Sequence, residues 1–355
     1  MLRVNAELLR EQTVAILRGW GMSAEHADIT AARLAHADVR GIDSHGVALL
    51  LLYAEHQAKD WINFTPKITV LRETPVITLL DGDHGLGHVP STLAMQSAID
   101  KCRISGLAAS AVRHSNHYGA AGAYSLLAAE AGFIGMSFTS VWNSNIVPTF
   151  GAEPMFGTNP ISVAAPGRNG VFYLDMATST VAVGKVKLAA MHDKPMPEGW
   201  VLNAAGQPQT DAHAALREGI RLTPIGGNRT LGSHKGYGLA CMVELLCSML
   251  AGGWYAPTRA ARGRREDPRP NIGHFFLVID PAQFRAPGEF EHDLEDMLGA
   301  LRQVPPSDAA QPVLVPGDTE AAAMRERLAE GVPLPDPLVQ QLRQIATRCG
   351  APVLL

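Results

Sequence analysis

No run of apolar residues in this chain is long enough to cross a membrane. The most apolar stretch, GLACMVELLCSMLAGG (238–253), carries Glu244 and falls short of the ~20 residues a span needs, so it reads as a buried core helix. Charge of one sign is also lacking. Lys and Arg number 30 against 34 Asp and Glu, a formal net charge of −4, which argues against a partner held by bulk electrostatics, whether nucleic acid or anionic membrane. Cysteine is scarce. Cys102, Cys241, Cys247 and Cys349 form no CxxC, so neither a zinc framework nor a disulfide scaffold is spelled out and no metal site is expected. Cys241 and Cys247 fall on one helical pattern and read as buried free thiols, which suits a reducing cytoplasm.

The common catalytic signatures are missing too. GWGMSA (19–24) has the relaxed GxGxxA spacing but follows a helix, so it is a helix-ending turn. GDHGLGHVP (82–90) has its glycines at the wrong spacing and Pro90 where the third should be. No GxxxxGK[ST], GxSxG or HExxH occurs. An ordinary Rossmann enzyme, a P-loop protein, an α/β-hydrolase and a zincin are therefore excluded.

What is present is a globular composition. The 355 residues are 46% apolar, enough for one large or two modest domains with a real core. The opening MLRVNAELLREQTVAILRGWG scatters Arg and Glu among apolar residues and predicts an amphipathic helix rather than a secretory signal. Ser23 is placed to cap a second helix ending near Gly41, and Ser44 to cap a third that carries Leu49, Leu50, Leu52 and Tyr53. KITVL and PVITLLDGD read as strands. From about 90 to 190, helices and strands alternate, which predicts an α/β sheet covered by helices. A helix is expected over about 178–191, a long one over about 235–250, a strand at HFFLVID, and two final helices after Asp318 and Asp336. Residues 252–271 read as a basic, exposed loop.

Five stretches carry candidate chemistry. In GIDSHGV (41–47), a cap at Ser44 puts His45 in the first turn of a helix, where the dipole favours neutral imidazole; such a ring exchanges a proton with a carbonyl/alcohol pair. AVRHSNHYGAAG (111–122) crowds His114, Ser115, Asn116 and His117 at a strand-to-helix junction. It has no metal-ligand spacing and no nucleophile elbow, which leaves substrate binding or proton transfer. FGTNPISV (156–163) is turn chemistry whose amides and Asn159 can also hold a cofactor amide or phosphate. LDMATSTVAVGKVKLAA (174–190) ends a strand at Asp175 and then offers a Thr/Ser cluster at a helix start, an anion site, with Lys185 about two turns in. GSHKGYGLACMVELL (232–246) opens a helix with Lys235 beside free N–H donors, which favours phosphate, and its glycines let another group approach the backbone.

Taken in order, GIDSHGV, DGDHGLGHV, VRHSNHYGAAG, FGTNPISVAAP, LDMATS, PEGWVLNAAGQPQTD, GSHKGYGLACMVELL and PGDTE resemble the malate/L-lactate dehydrogenase family of the second type over about residues 10–340. That family uses NAD(P), is unrelated to the Rossmann-fold lactate and malate dehydrogenases, and includes ureidoglycolate and sulfolactate dehydrogenases, diketogulonate reductase and piperideine-2-carboxylate reductase. The resemblance implies an α/β fold: a non-Rossmann mixed-sheet cofactor domain over 76–309, and a helical domain built from 1–75 with 310–355. It implies a cytoplasmic homodimer, with the site near the subunit contact and neither nucleic acid nor membrane as partner. The implied activity is hydride transfer between NAD(P)H and a 2-oxo/2-hydroxy acid, at the CH–OH group. Reduction of a cyclic imino acid or keto-sugar acid is the alternative within chemistry, and a nucleotide-binding member without turnover is the alternative outside it.

The resemblance also implies roles. His45 is the proton donor or acceptor, held by Ser44, and His117 binds or polarises the substrate. Tyr53 and Asn116 lie on the substrate side, with Arg113 and Lys185 as candidate carboxylate cations. The cofactor is expected at Ser140 and Asn143, at Thr158, Asn159 and Pro160, and at Asp175, Met176, Ala177, Thr178 and Ser179. It is also expected at His234, Lys235 and Gly236, with Pro316, Gly317 and Asp318 along the adenosine half. One departure matters. Many members have arginine four residues after the SHG histidine, and this chain has Leu49, which removes a bidentate carboxylate clamp. An acidic residue stands at the position of Lys185 in the imino-acid reductases, which disfavours imine reduction. Val183 stands where some NADP-using members have His, so NAD is the expected cofactor, with NADP open through the basic residues of 259–269.

Overall fold

The computed structural model describes residues 2–256, 258 and 269–355. The chain folds as two compact units: Met1–Ser137 with Ser162–Leu174 and Phe276–Leu355, and Phe138–Ile161 with Asp175–Phe275.

The first unit opens with β1 (Leu2–Val4) and α1 (Ala6–Gly19), which starts on Asn5, whose side chain accepts the amides of Glu7 and Leu8. Ser23 caps α2 (Ala24–Val39) as expected, accepting the His26 amide. The third helix departs from expectation. Asp43–His45 is a single 3-10 turn, and α3 (Leu49–Ala58) begins after Ala48 with no side-chain cap. Ser44 is thus not a cap, and His45 gains no helix dipole from α3. The local reason is Gly46: its backbone leaves the helical region at φ −95° and ψ −145°, so the chain breaks between the SHG turn and the leucines.

Both chain ends build one apolar core. α1, α2 and α3 pack with β9 (Val332–Leu334), which pairs antiparallel to β1, and with the last helix, Asp336–Arg348. Ile16, Leu17, Leu34, Leu50, Tyr53, Leu342 and Ile345 meet there. Leu49 joins this core as well, so its side chain is used in packing.

The sheet is seven-stranded. It comprises β2 (Thr69–Glu73), β3 (Ile77–Asp81), β4 (Leu107–Ser115), β5 (Ile134–Thr139), β6 (Ile161–Pro166), β7 (Val171–Met176) and β8 (Ile272–Ile279), in the order β2-β3-β4-β8-β5-β6-β7. β2 and β3 are antiparallel; β3 and β4 are parallel, joined by α4 (His88–Ser105). This mixed order is not the 3-2-1-4-5-6 of a Rossmann sheet. α4 buries Ala94, Met95, Ala98, Ile99 and Cys102 against Leu80, Ala108 and Val112 of the sheet, with Tyr118, Tyr124 and Phe276 in the same core. α5 (Gly122–Glu130) follows the SNH loop.

The second unit holds α6 (Val183–Met191) and α7 (Ala212–Glu218), packed with Ile146, Val181, Val201 and Leu222, and also α8 (Ser233–Val243). Two expectations shift here. α6 starts at Val183, not near 178, so the Thr/Ser cluster precedes the helix and Lys185 is its third residue. The expected long helix at 235–250 is α8 running into a π-helix, Glu244–Leu250. Most of the expected basic loop lies outside the described residues. α9 (Glu289–Arg302), unforeseen because its charges mask a narrow apolar stripe, precedes α10 (Asp318–Glu330) and α11 (Asp336–Arg348). No helix among the described residues is long and apolar enough to cross a membrane.

Candidate active site

Two histidines far apart in sequence are stacked in the first unit. The His45 and His117 rings lie 5.7 Å apart, nearly parallel. Ser44 Oγ is 2.8 Å from His45 Nδ1, so the hydroxyl meets the imidazole although the expected helix cap does not form. On the other ring, the Gly119 N–H donates to His117 Nδ1 at 3.2 Å, and Tyr53 Oη lies 3.0 Å from the same atom. An Nδ1 that accepts leaves the proton of the neutral ring on Nε2. Tyr53 is fully buried, and burial holds its phenol well above the ordinary tyrosine range, so it keeps its proton and donates.

Burial lowers the pKa of both imidazoles. For His117 the shift is large, and the neighbouring rings of His45, His88 and His56 add to it. For His45 burial alone lowers the value. Both rings are therefore neutral near pH 7. His88 stands edge-on to Tyr53 at 5.8 Å, and His56 packs edge-on to Trp61 at 5.2 Å. Sequence reading missed these two rings, because each sits in a stretch whose spacing suggests no ligand set. Among the described residues no group of three or more His, Cys, Asp or Glu gathers as metal ligands.

The SNH loop is gripped by the GDHGLGH loop. Asn116 N–H donates to Gly85 O at 3.1 Å, Gly87 N–H to His117 O at 3.0 Å, and His84 N–H to His114 O at 2.6 Å. Asp83, His84 and His114 all sit at positive φ, an arrangement that persists only where surrounding bonds enforce it. The Asn116 carboxamide donates to His84 O at 2.7 Å and Trp61 O at 3.3 Å, so its two N–H donors hold backbone. Arg113 lies 3.4 Å from Asp81, which also takes His114 at 2.8 Å.

The expected cofactor residues fall mainly in the second unit. Thr158 and Pro160 are half-buried, while Asn159 is fully buried at φ +33°. The Asn159 amide donates to Ala240 O at 3.2 Å and Glu244 Oε1 at 3.1 Å, tying the turn to the π-helix. Asp175, Met176 and Ala177 are half-buried. The Thr178, Ser179 and Thr180 hydroxyls donate to carbonyls of Thr158, Val181 and Pro224 at 3.0, 2.8 and 2.7 Å. Their task here is to brace the strand-to-helix turn rather than to cap α6. Ser140 bonds the backbone of Gly273, and Asn143 is exposed on a cleft of about 580 Å³.

The start of α8 fits a phosphate best. Gly232 precedes it in the left-handed region with no side-chain cap, and the Ser233 and Lys235 amides donate to Asn228 O and Gly232 O, each at 2.9 Å, so the charge there comes from side chains. Lys235 is exposed there, and Arg229 donates to His234 Nδ1 at 3.0 Å. Arg229 and Ser233 line a cleft of about 560 Å³. The glycine of SHKG serves the fold: a Cβ on Gly236 would overlap the Ile225 backbone, so the group that approaches is the chain's own. Lys185 is exposed on α6. In the first unit, Pro316 is exposed with its carbonyl on the Tyr173 amide, Gly317 takes φ +102°, and Arg302 at 2.8 Å holds the Asp318 carboxyl below its usual range.

A family model described as malate/L-lactate dehydrogenase matches residues 4–343. This chain belongs to the malate/L-lactate dehydrogenase family. The malate dehydrogenase of Pyrococcus horikoshii is 38% identical, covering 98% of this chain and 96% of its own. The malate/(S)-sulfolactate dehydrogenase of Methanothermus fervidus is 32% identical, covering 97% of each. The solved malate dehydrogenase of Entamoeba histolytica superimposes with a TM-score of 0.93 at 31% identity, over 99% of both chains. As a member of the malate/L-lactate dehydrogenase family, the chain is an oxidoreductase acting on the CH–OH group of hydroxy acids, and the non-Rossmann mixed sheet is the family's own.

Proposed function

We propose that the protein interconverts a 2-hydroxy acid and its 2-oxo acid with NAD, His45 exchanging the proton of the substrate oxygen and His117 donating to that oxygen. The observation that carries this reading is the stacked pair, each ring with Nδ1 engaged, by Ser44 in one case and by Tyr53 and Gly119 in the other. Each ring therefore has Nε2 left for a ligand. In oxidation, neutral His45 takes the hydroxyl proton at Nε2 while its Nδ1–H donates to Ser44 Oγ; in reduction the same proton returns. His117, neutral with Nε2–H, donates to the oxygen without a charge change. A bound nicotinamide supplies the hydride acceptor or donor.

The residues at the start of α8 fit the dinucleotide's phosphates, through the side chains of Lys235, His234 and Arg229. Malate or a sulfonated analogue is the substrate class supported by the named relatives. With Leu49 in the helical core, the carboxylate is held by another group, for which Arg113 and Lys185 are the candidates. The assembly is a homodimer in the cytoplasm, a compartment that suits four free cysteines.

The test is a substrate panel of malate, lactate, sulfolactate and ureidoglycolate with NAD and with NADP. Turnover of a 2-hydroxy acid is expected, and His45→Ala and His117→Ala should each lower kcat by about 10²-fold or more. Wild-type turnover in both variants refutes the assignment.

A further inference from the structure

We propose that Asp38 is a positioning residue for His45, gripping the Gly46–Val47 turn from beneath, with Arg327 closing the other side of the same clamp. This rests on the reading that His45 exchanges the substrate proton. Asp38 stands in the last turn of α2 and is buried. Its Oδ2 accepts the Val47 amide at 2.9 Å. A Cβ on Gly46 would overlap the Asp38 carboxylate. Gly46 is at φ −95°, so the backbone conformation alone does not demand glycine. Space for the carboxylate does. The third letter of SHG is therefore set by a residue outside the motif.

The other flank of the turn is held from α10. Arg327 donates to the Asp38 carbonyl at 2.6 Å and through both amino groups to the Asp43 carboxylate, one of these at 3.2 Å. Asp43 opens the 3-10 turn that His45 closes, and the His45 amide itself donates to Ile42 O at 2.9 Å. Asp43, just before Ser44–His45, and Val47, two residues after His45, are thus both pinned, one by Arg327 and one by Asp38. Among the described residues the His45 imidazole hydrogen-bonds only Ser44 Oγ, its own neighbour in the turn. The ring's direction therefore follows the backbone beneath it.

Helix stability does not account for Asp38. A carboxylate in the last turn of a helix opposes the macrodipole. Burying it is costly as well. The Asp38 carboxyl is raised to about 7, chiefly by burial and in smaller part by Asp43, against the opposing pull of the Val47 amide and Arg327. A group that harms its own helix and strains its own ionisation is explained by the turn it anchors.

The test compares Asp38→Ala and Asp38→Asn in the full chain. His45 is followed by NMR of histidine-labelled protein, its resonance identified by its loss in His45→Ala. Kinetics with the responding hydroxy acid run alongside. In Asp38→Ala the His45 resonance and its titration midpoint should move, kcat should fall about 30-fold with little change in KM, and cofactor Kd should hold within about twofold. Asp38→Asn still offers an oxygen to Val47 and should recover most of that loss. In a His45→Ala background Asp38→Ala should add no further loss, since the two act as one unit. A folded Asp38→Ala with an unmoved His45 resonance and wild-type kcat overturns the proposal, as does an equal loss in the His45→Ala background. If Asp38→Ala does not fold, Arg327→Ala and Gly46→Ala strike the same turn from α10 and from the loop. Unmoved His45 signals in both overturn the proposal equally. If His45→Ala keeps full turnover, the catalytic reading fails, while the resonance shift still decides whether Asp38 positions the ring.

Discussion

His45 and His117 owe their neutrality to their surroundings rather than to neighbours in sequence. Burial lowers both pKa values, and for His117 three further imidazoles add to the shift. The sign is clear for catalysis. In the proposed mechanism the base that removes a hydroxyl proton is neutral His45, so kcat/KM for oxidation should stay flat as pH falls through the ordinary histidine value of 6.5 and decline only below it. A pH profile with its acidic limb at or above 6.5 would contradict the burial argument. Stability follows the same direction. In the window between the lowered folded pKa and the unfolded one, the unfolded chain binds more protons, so these rings favour folding fully above the unfolded value and lose that contribution as pH falls. The motif letters made His45 and His117 legible as candidates, while Asp38, His56, His88 and Arg327 stayed hidden. Their contribution is contact across distant segments, which no local spacing encodes.

At the scale of elements, the caps that lie next to their helices were readable and those that depend on the path of the chain were not. Ser23 caps α2, but Ser44, in an equally good sequence context, turns its hydroxyl to His45 because the chain breaks at Gly46. The Thr178–Thr180 cluster reads as a helix start, yet carbonyls brought in by the Thr158 and Pro224 segments take its hydroxyls first. The π-helix Glu244–Leu250 gives the second unit its least predictable joint: it carries the carboxylate that Asn159 meets. Asn159→Ala removes both amide bonds from a buried residue at φ +33°, and should cost about 2–4 kcal/mol in urea unfolding. Asn159→Asp should cost more, since it sets a second carboxylate against Glu244. A loss under 0.5 kcal/mol, on the scale of an ordinary surface change, would mean that this tie contributes nothing.

For the whole molecule, the two ends of the chain share a core, so the final helix is as much a part of the first unit as α1. The second unit carries the basic start of α8. NADH at a hundredfold its Kd should raise stability by about 2.7 kcal/mol, read as a rise in Tm, with NADPH giving less at equal concentration. Lys235→Ala should weaken NADH binding about tenfold or more by removing a charge-assisted contact. Unaltered affinity in Lys235→Ala would remove α8 from the cofactor site, and a larger shift with NADPH would reverse the preference drawn from Val183.

The sequence by itself determined the family, through eight ordered motifs, and the exclusion of a Rossmann site, through a fingerprint that is missing. It also determined the order of most helices and strands, because caps, apolar periods and β-branched runs are written in adjacent residues. Tertiary structure alone decided that His45 lies in a lone turn, that it stacks on His117, that both rings are neutral, and that Leu49 serves the core. Stacking and desolvation depend on which distant segments fold together, and the carboxylate beneath Gly46 acts only once α2, the SHG turn and α10 have met.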